Sequence, residues 1–286
     1  MLRYEAWSGT CDTLHAQTQL LGKLAVALAP PEPQLQHAAL RLTPRGWETP
    51  PLPLGDGSVV VCLDLHDHRA VVEHSDGRRS EAPLTPDRAV ADVVHDVLDA
   101  VGGGVEIDPT PQEAHWTVPL DEDREHATYD PAQVADYFAA ATQAALVLAE
   151  FRAPFRGRKT PVNAWWGSFD LSTNLFSGEG ADPPANDFIM RNSMDAQEVA
   201  IGWWPGDPRT ELAAYYGYAH PPTDAFKEAD LSPARWHDEL GLYLLETDDR
   251  EAALAFARAV FRHACVSCDW DPELLASAEG DPPPVA

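Results

Sequence analysis

Three residues of this chain have side chains suited to acid–base chemistry and lie in three separate segments that resemble β-strands: Asp170, Glu198 and His220. Side chains alternate between the two faces of a strand, so neighbouring strands can bring the three together on one side of a sheet. A carboxylate beside aromatic surface has a raised pKa, and a nearby histidine can share proton transfer with it. We therefore predict catalytic roles for all three.

The same alternation places aromatic and small polar side chains beside these residues. It assigns Trp166, Ser168, Trp204 and Tyr216 to the faces that carry the acids, where they would line a pocket and contact a substrate. The other faces carry residues expected in the core, such as Trp165, Phe169 and Trp203. This expectation depends on strand register, because a slip of one residue moves every side chain to the opposite face.

Further candidates lie near the N-terminus. His15 and Gln19 are four residues apart and share a face if their segment is helical. His15 is then either a catalytic residue or a surface residue, and Gln19 a substrate-binding one. Lys23 and Arg45 are candidates to hold an anionic group of the substrate.

A metal site is an alternative. His126 lies in the acidic run DEDREHATYD (residues 121–130), which is either a solvated surface segment or a source of metal ligands. A metal-dependent enzyme would use His15, His126 or His220 as ligands. The acid–base chemistry predicted for Asp170, Glu198 and His220 needs neither a metal nor a cofactor.

Periodicity and boundary residues predict four helices separated by strands. The helices are expected over residues 12–28, 86–101, 131–148 and 249–265, where apolar residues recur at helical spacing. The segment 177–197 is expected to be a loop that could act as a lid. Strands are expected over residues 37–43, 58–65, 70–74, 115–119, 163–172, 198–204, 213–220 and 240–246.

These elements predict an α+β fold in which antiparallel β-sheets are packed by α-helices. Residues 12–30 and 136–154 match in register at several positions. Either the chain consists of two fused repeats of helix, strands and helix, or two Ala- and Leu-rich helices match by composition. The corresponding domains are residues 1–126 and 127–275, followed by a disordered tail over 276–286.

The acidic amino-acid composition limits the classes of molecule that the chain is expected to bind. The chain has 286 residues, 46 acidic and 20 basic, and a formal net charge of −26. Such a charge repels nucleic acid and anionic membranes, so neither is an expected partner. No signal peptide or membrane span is recognised, and the four cysteines are too few for a disulfide scaffold, so a cytoplasmic location is expected. The expected partner is a small polar or cationic metabolite, and the oligomeric state is left open.

Several blocks resemble a bacterial family called domain of unknown function 5996. They include WSGTCDTLHAQTQLLGK (7–23), FRAPFRGRKTPVNAWWGSFDLSTNLFSG (151–178) and EVAIGWWPG (198–206). The family pattern has histidines at the positions of Asn163 and Gln197. Alternation places both positions on the same face, and we predict that Asn163 and Gln197 bind substrate. If a typical member of the family binds a metal through that histidine pair, the resemblance implies that this chain does not, because an amide is a poor metal ligand.

The sequence thus favours a small-molecule enzyme with metal-independent acid–base chemistry in an aromatic, acidic cleft. Two alternatives remain: a non-catalytic domain that binds a ligand or another protein, and a metal-dependent enzyme with histidine ligands.

Overall fold

The computed structural model describes residues 1–279. Within them the chain forms two compact units, each made of segments that are not consecutive in sequence. We call residues 2–140 with 163–170 the N-terminal unit, and residue 1 with 141–162 and 171 onwards the C-terminal unit. The predicted boundary between residues 126 and 127 stays a prediction.

The N-terminal unit has helices packed against an antiparallel sheet. Helices α1 (Ser8–Leu28) and α2 (Val90–Val101) contact each other and the sheet. Five strands follow the order β1-β2-β4-β5-β6, and β3 pairs with β4. The strands are β1 (Arg41–Leu42), β2 (Gly46–Glu48), β3 (Leu52–Leu54), β4 (Gly57–Asp64), β5 (Arg69–His74) and β6 (Arg79–Pro83).

Helix α3 (Pro131–Arg152) follows, then strand β7 (Asn163–Trp165), where Ala164 forms an antiparallel bridge with Leu40. α3 begins as the sequence predicts, since Asp130 accepts hydrogen bonds from the first free amides and Pro131 needs none. By length and composition its 22 residues could cross a membrane. Buried helices of soluble proteins meet the same criterion, so this is weak evidence.

The C-terminal unit is built on a second antiparallel sheet, with strands in the order β8-β9-β10-β12-β11. Helix α6 contacts β9 and β10 and is joined by α5 and α7. The strands are β8 (Asp170–Gly180), β9 (Ala196–Trp204), β10 (Ala214–His220), β11 (Arg235–His237) and β12 (Leu242–Leu245); the helices are α4 (Phe188–Ser193), α5 (Asp224–Lys227), α6 (Arg250–Ser267) and α7 (Pro272–Glu279).

The α+β class with antiparallel sheets and packed helices is confirmed. Each half of the chain also runs from a long helix through strands to another helix, which is the order that an internal repeat would produce.

The start of α2 was predicted too early, because residues 85–88 form a turn before Val90. Of the predicted tail 276–286, residues 276–279 end α7 and the rest lie outside the described residues.

Three predicted strands were wrong in whole or part. Residues 115–119 form no strand, and the run 37–43 contains only the short strand β1 (Arg41–Leu42), because His37 and Ala38 end a 3₁₀ helix. The run 163–172 is not one strand, because residues 166–169 form a turn between β7 and β8. Phe169 has φ +57°, a left-handed conformation that an extended strand cannot contain. Alternation therefore cannot be carried from Trp166 to Asp170.

The predicted loop over 177–197 was also wrong in part. β8 continues to Gly180, α4 occupies residues 188–193, and β9 begins at Ala196. We call residues 181–195 the β8–β9 connection. None of its side chains is buried, so it is the loosely packed part of this region.

The turn after β7 is held by a close contact with α1. A Cβ atom added to Gly22 would lie 2.0 Å from Cγ of Trp166, so the indole packs directly on the helix backbone. Trp166 is only 2% exposed, and its Nε1 donates to the carbonyl oxygen of Ala38 over 3.1 Å. Gly22 is thus required by packing, which explains why a helix tolerates it.

We predict that Gly22→Ala lowers the free energy of unfolding by about 2–3 kcal/mol, since overpacking outweighs the gain in helix propensity. Urea denaturation followed by tryptophan fluorescence measures this. The control is Gly180→Ala, whose added Cβ would meet only the carbonyl oxygen of Asp195 at 3.9 Å. The control is expected to stay within about 0.5 kcal/mol of wild type. Equal stability of Gly22→Ala and wild type would contradict the packing argument.

Candidate functional site

One face of the C-terminal sheet carries four of the predicted site residues. In the register of β9 and β10, Glu198 lies opposite His220 and Gly202 opposite Tyr216, while Trp204 lies opposite Ala214. Residues directly opposite in an antiparallel pair project to the same face. Glu198, Trp204, Tyr216 and His220 therefore share one face, as alternation along these two strands predicts.

The other face of this sheet belongs to the hydrophobic core. It carries Val199, Ile201 and Trp203, all buried, and it packs against α6. A Cβ atom on Gly217 would lie 2.8 Å from Cγ1 of Val260, which shows how closely the helix approaches. The polar side chains therefore lie on the face opposite to α6.

Glu198 is the most unusual residue of the polar face. It is 1% exposed. Its Oε1 accepts hydrogen bonds from Nδ2 of Asn174 at 2.9 Å and from the hydroxyl of Tyr218 at 3.3 Å. Its Oε2 is buried and has no hydrogen-bond partner among the described residues. Thus Oε1 has hydrogen-bond donors within the protein, whereas Oε2 has none among the described residues.

Burial raises the pKa of Glu198 to about 7, because an ionised carboxylate loses its hydration there. The hydrogen bonds from Asn174 and Tyr218 and the positive charge of Arg158 act in the opposite direction, and the charge of Asp195 adds to the increase. The protonated and ionised forms are therefore present in similar amounts near neutral pH.

His220 is the cross-strand neighbour of Glu198 and is 5% exposed. Burial lowers its pKa, partly offset by hydrogen bonds to the backbone of Asp182 and Met194. Its Nε2 lies 3.1 Å from the carbonyl oxygen of Asp182, which requires the proton on that nitrogen. His220 is thus a neutral imidazole at pH 7 that ties the β8–β9 connection to the sheet.

Aromatic rings line the sheet face that carries this carboxyl group. The rings of Tyr216 and Tyr218 are parallel with centroids 6.3 Å apart. A Cβ on Gly202 would lie 2.2 Å from Cζ of Tyr216, so this glycine makes room for the ring. Two guanidinium groups sit over other rings of the same face: Arg158 lies 3.7 Å from the centroid of Phe176, and Arg209 lies 5.1 Å from that of Trp204.

The other predicted catalytic residues, His15 and Asp170, belong to the N-terminal unit, of which Asp170 is the last residue and at the same time the first of β8. His15 is 8% exposed, and its Nε2 lies 3.1 and 2.9 Å from the carbonyl oxygens of Trp166 and Gly167. Its ring is parallel to that of Phe169 at 5.1 Å. Burial lowers its pKa to about 4. His15 is therefore a neutral donor that fixes the turn.

Asp170 is 5% exposed and accepts a hydrogen bond from the hydroxyl of Ser168.

Two predicted substrate-binding residues of α1 also have partners within this unit. Gln19 pairs with the backbone of Gln112, donating to its carbonyl at 2.9 Å and accepting from its amide at 2.8 Å. The Nζ of Lys23 lies 3.6 Å from the carboxylate of Asp108 and 5.5 Å from the ring centroid of Trp166. Burial lowers the pKa of Lys23.

The remaining candidates are more dispersed. Asn163 is fully buried; its Oδ1 accepts from Arg41 at 2.5 Å, and its Nδ2 donates to Oε1 of Gln36 at 3.1 Å. Arg45 is 39% exposed and pairs with Glu48 at 2.7 Å and with Glu73 at 3.4 Å. Gln197 precedes Glu198 on β9 and so projects to the opposite face of the strand.

Sequence analysis missed the partners of Glu198. Asn174 could have been found by continuing the alternation of β8 from Asp170 through Ser172. Tyr218 lies between Tyr216 and His220 in the same alternation. Arg158 and Asp195 act on Glu198 through charge from segments outside the paired strands, and no sequence pattern marked them.

His126, the alternative metal ligand, is paired with a carboxylate instead. Its Nδ1 lies 2.7 Å from Oδ2 of Asp123. Burial would lower the pKa of His126, but the hydrogen bond and the charge of Asp123 more than offset it, so the pKa is raised. Among residues 1–279, no three His, Cys, Asp or Glu side chains are grouped so that they could hold a metal ion.

Comparison with known proteins gives a family and no function. A family model described as "Family of unknown function (DUF5996)" matches residues 1–277. This match confirms the resemblance seen in the sequence blocks. No curated protein and no solved structure shows significant similarity to the chain.

We predict that Glu198→Gln is stabilised relative to wild type as pH rises. The folded-state pKa of about 7 exceeds the ordinary value of 4.5, so the wild type loses stability as pH rises through about 7. The glutamine has no such titration. At about 1.4 kcal/mol for each pH unit between the two pKa values, the difference in unfolding free energy should grow by roughly 2–3 kcal/mol from about pH 5 to about pH 8.

Urea denaturation at each pH measures this difference. Glu246→Gln is the matched control, because Glu246 is an exposed carboxylate of the same unit. Its stability relative to wild type should change little over this range. A constant difference between Glu198→Gln and wild type would show that Glu198 titrates normally.

Proposed function

This chain belongs to the DUF5996 family, whose function is unknown, and we propose that it is an enzyme that carries out acid–base chemistry on a small molecule at Glu198. No metal or cofactor takes part in the proposed reaction. One observation carries the proposal: a carboxyl group on the polar face of β9 is buried and is satisfied at only one oxygen. Burial raises the pKa of this group to about 7. A general acid or base works best when its pKa is close to the working pH.

The surroundings of Glu198 support a catalytic role over a purely structural one. Asn174 and Tyr218 both bond Oε1 and so fix the orientation of the carboxyl group. Oε2 is left for a bound molecule. A buried acceptor without a partner costs about 1–3 kcal/mol, and such a cost is common where a site must meet a substrate.

Each neighbour has a proposed role. Glu198 accepts a proton through Oε2 in one step and returns it in another. Tyr218 stabilises the ionised form through its hydroxyl group. Trp204 and Tyr216 lie farther along the same face, and their substrate contacts remain a hypothesis. His220 remains neutral and holds the β8–β9 connection next to Glu198, so we propose it as a positioning residue.

The sequence hypothesis made Asp170 the base and gave His15 a catalytic role. We assign the base to Glu198 instead, because the imidazole of His15 fixes a turn and Asp170 accepts a hydrogen bond from Ser168. Substrate contacts by Gln19, Lys23, Arg45, Asn163, Trp166, Ser168 and Gln197 remain hypotheses that the contacts above do not strengthen.

Two other functions stay as alternatives. A non-catalytic binding domain would use the same face and release no product. A metal-dependent enzyme would require histidine ligands, and elemental analysis of protein purified without a chelator tests that directly.

We predict that a metabolite screen by thermal shift finds ligands whose turnover depends on Glu198. Glu198→Gln should lower kcat/KM by about 10²–10⁴-fold, the usual contribution of a general acid or base. The pH profile of kcat/KM should show a transition near 7 in wild type, matching the pKa of Glu198. Product is measured by mass spectrometry.

Glu246→Gln serves as the control and should keep wild-type turnover. A ligand that stabilises the wild type but is recovered unchanged, even after long incubation, would favour the binding-domain alternative. Turnover that is unaffected in Glu198→Gln would refute the assignment of the base.

A further inference from the structure

We infer that the molecule bound at Glu198 carries a primary or secondary ammonium group that donates one N–H to Oε2. This inference rests on the proposed function and adds the chemical class of the substrate. It follows from the number of free acceptor positions on the carboxyl group and from the charges and rings around it.

The number of free acceptor positions on the Glu198 carboxylate limits which donor group of a ligand can bind it. Each carboxylate oxygen accepts about two hydrogen bonds. Oε1 already accepts one from Asn174 and one from Tyr218, whereas Oε2 accepts none among the described residues. A guanidinium group recognises a carboxylate through two parallel bonds, one to each oxygen. That geometry is not available here, while an ammonium group needs only one oxygen.

The charges favour a cation over a neutral donor. The groups that act on Glu198 are Asn174 of β8, Tyr218 of β10, Arg158 before β8, and Asp195 before β9, with His220 neutral beside it. Arg158 is engaged with the ring of Phe176 and is exposed. A desolvated carboxylate with one free oxygen is stabilised most by a positive charge placed directly against that oxygen.

The aromatic residues fit the same class. Two rings of this face, those of Phe176 and Trp204, already hold guanidinium groups of the chain itself. Rings of this face can therefore hold a cation. The hydroxyl of Tyr218 bonds Oε1. The Tyr218 ring, which is parallel to that of Tyr216, can contact the carbon atoms next to an ammonium nitrogen.

Because Oε2 is buried, a ligand reaches it only if a neighbouring segment moves, and the β8–β9 connection is the loosely packed neighbour. The connection supplies Asp182 and Met194 to His220 and Asp195 to the surroundings of Glu198, yet none of its own side chains is buried. Moving it breaks few apolar contacts, so its opening costs little free energy. An ammonium group could then reach Oε2.

The test compares amines with their quaternary counterparts, which keep the charge but have no N–H to donate. The pairs are methylamine and tetramethylammonium, ethanolamine and choline, and benzylamine and benzyltrimethylammonium. Benzylguanidine and benzyl alcohol complete the set. Binding is followed by the pH titration of the Glu198 carboxyl carbon in ¹³C-labelled protein, with its signal assigned by its loss in Glu198→Gln.

At least one primary amine should lower the pKa of Glu198, because it binds the ionised form, and its affinity should rise as pH increases through about 7. Its quaternary counterpart and benzylguanidine should bind at least about tenfold more weakly. Glu198→Gln should lose this preference, and Glu246→Gln should keep it.

The possible failures are distinguishable. If quaternary ions or benzylguanidine bind as well as the amines, or if no amine moves the titration, the ammonium inference is wrong. If benzyl alcohol alone binds and depends on Glu198, the site stands and its ligand is neutral. If Glu198 titrates at the ordinary value for glutamate, the proposed function fails as well.

Discussion

The antiparallel register of β8, β9 and β10 determines which side chains of the C-terminal unit can meet the same molecule. It places Glu198 between Phe176 and His220 and brings Asn174 and Tyr218 to opposite sides of Ala200. The reverse face of the same strands is committed to α6, where Gly217 permits close contact. Since a shift of one residue would turn Glu198 toward the helix, both the core and the candidate site depend on this register.

The predicted site residues of the two units differ in how their buried polar groups are satisfied. In the N-terminal unit each predicted catalytic or binding group has a partner that secures local structure: His15 bonds the turn after β7, and Lys23 faces Asp108. These contacts make the turn rigid, and Phe169 stacks on Trp47 and Tyr137 as well as on His15. In the C-terminal unit, Glu198 is left half satisfied. A polar group that the fold does not complete is a better candidate for function than one that it does.

Periodicity was sufficient to predict the fold class, the four main helices and the central strands, because long apolar repeats dominate local structure. It failed at residues 163–172, where the alternating pattern is real but Phe169 adopts a left-handed backbone stabilised by three stacked rings. Alternation identified Glu198 and His220 as neighbours. It could not show that Oε2 lacks a partner or that His220 is occupied by the backbone of Asp182, since both depend on contacts between segments distant in sequence.

The half-satisfied carboxyl group also links stability to function. Holding Glu198 in a buried position costs folding free energy that increases as the group ionises. A ligand that donates to Oε2 returns part of that free energy on binding, so the same desolvation that destabilises the free protein strengthens the contact with the ligand. The large core on the α6 side of the sheet allows the unit to tolerate this cost. Replacing Glu198 by glutamine should therefore produce a more stable protein that binds its ligand less well, the usual consequence of removing strain at a functional site.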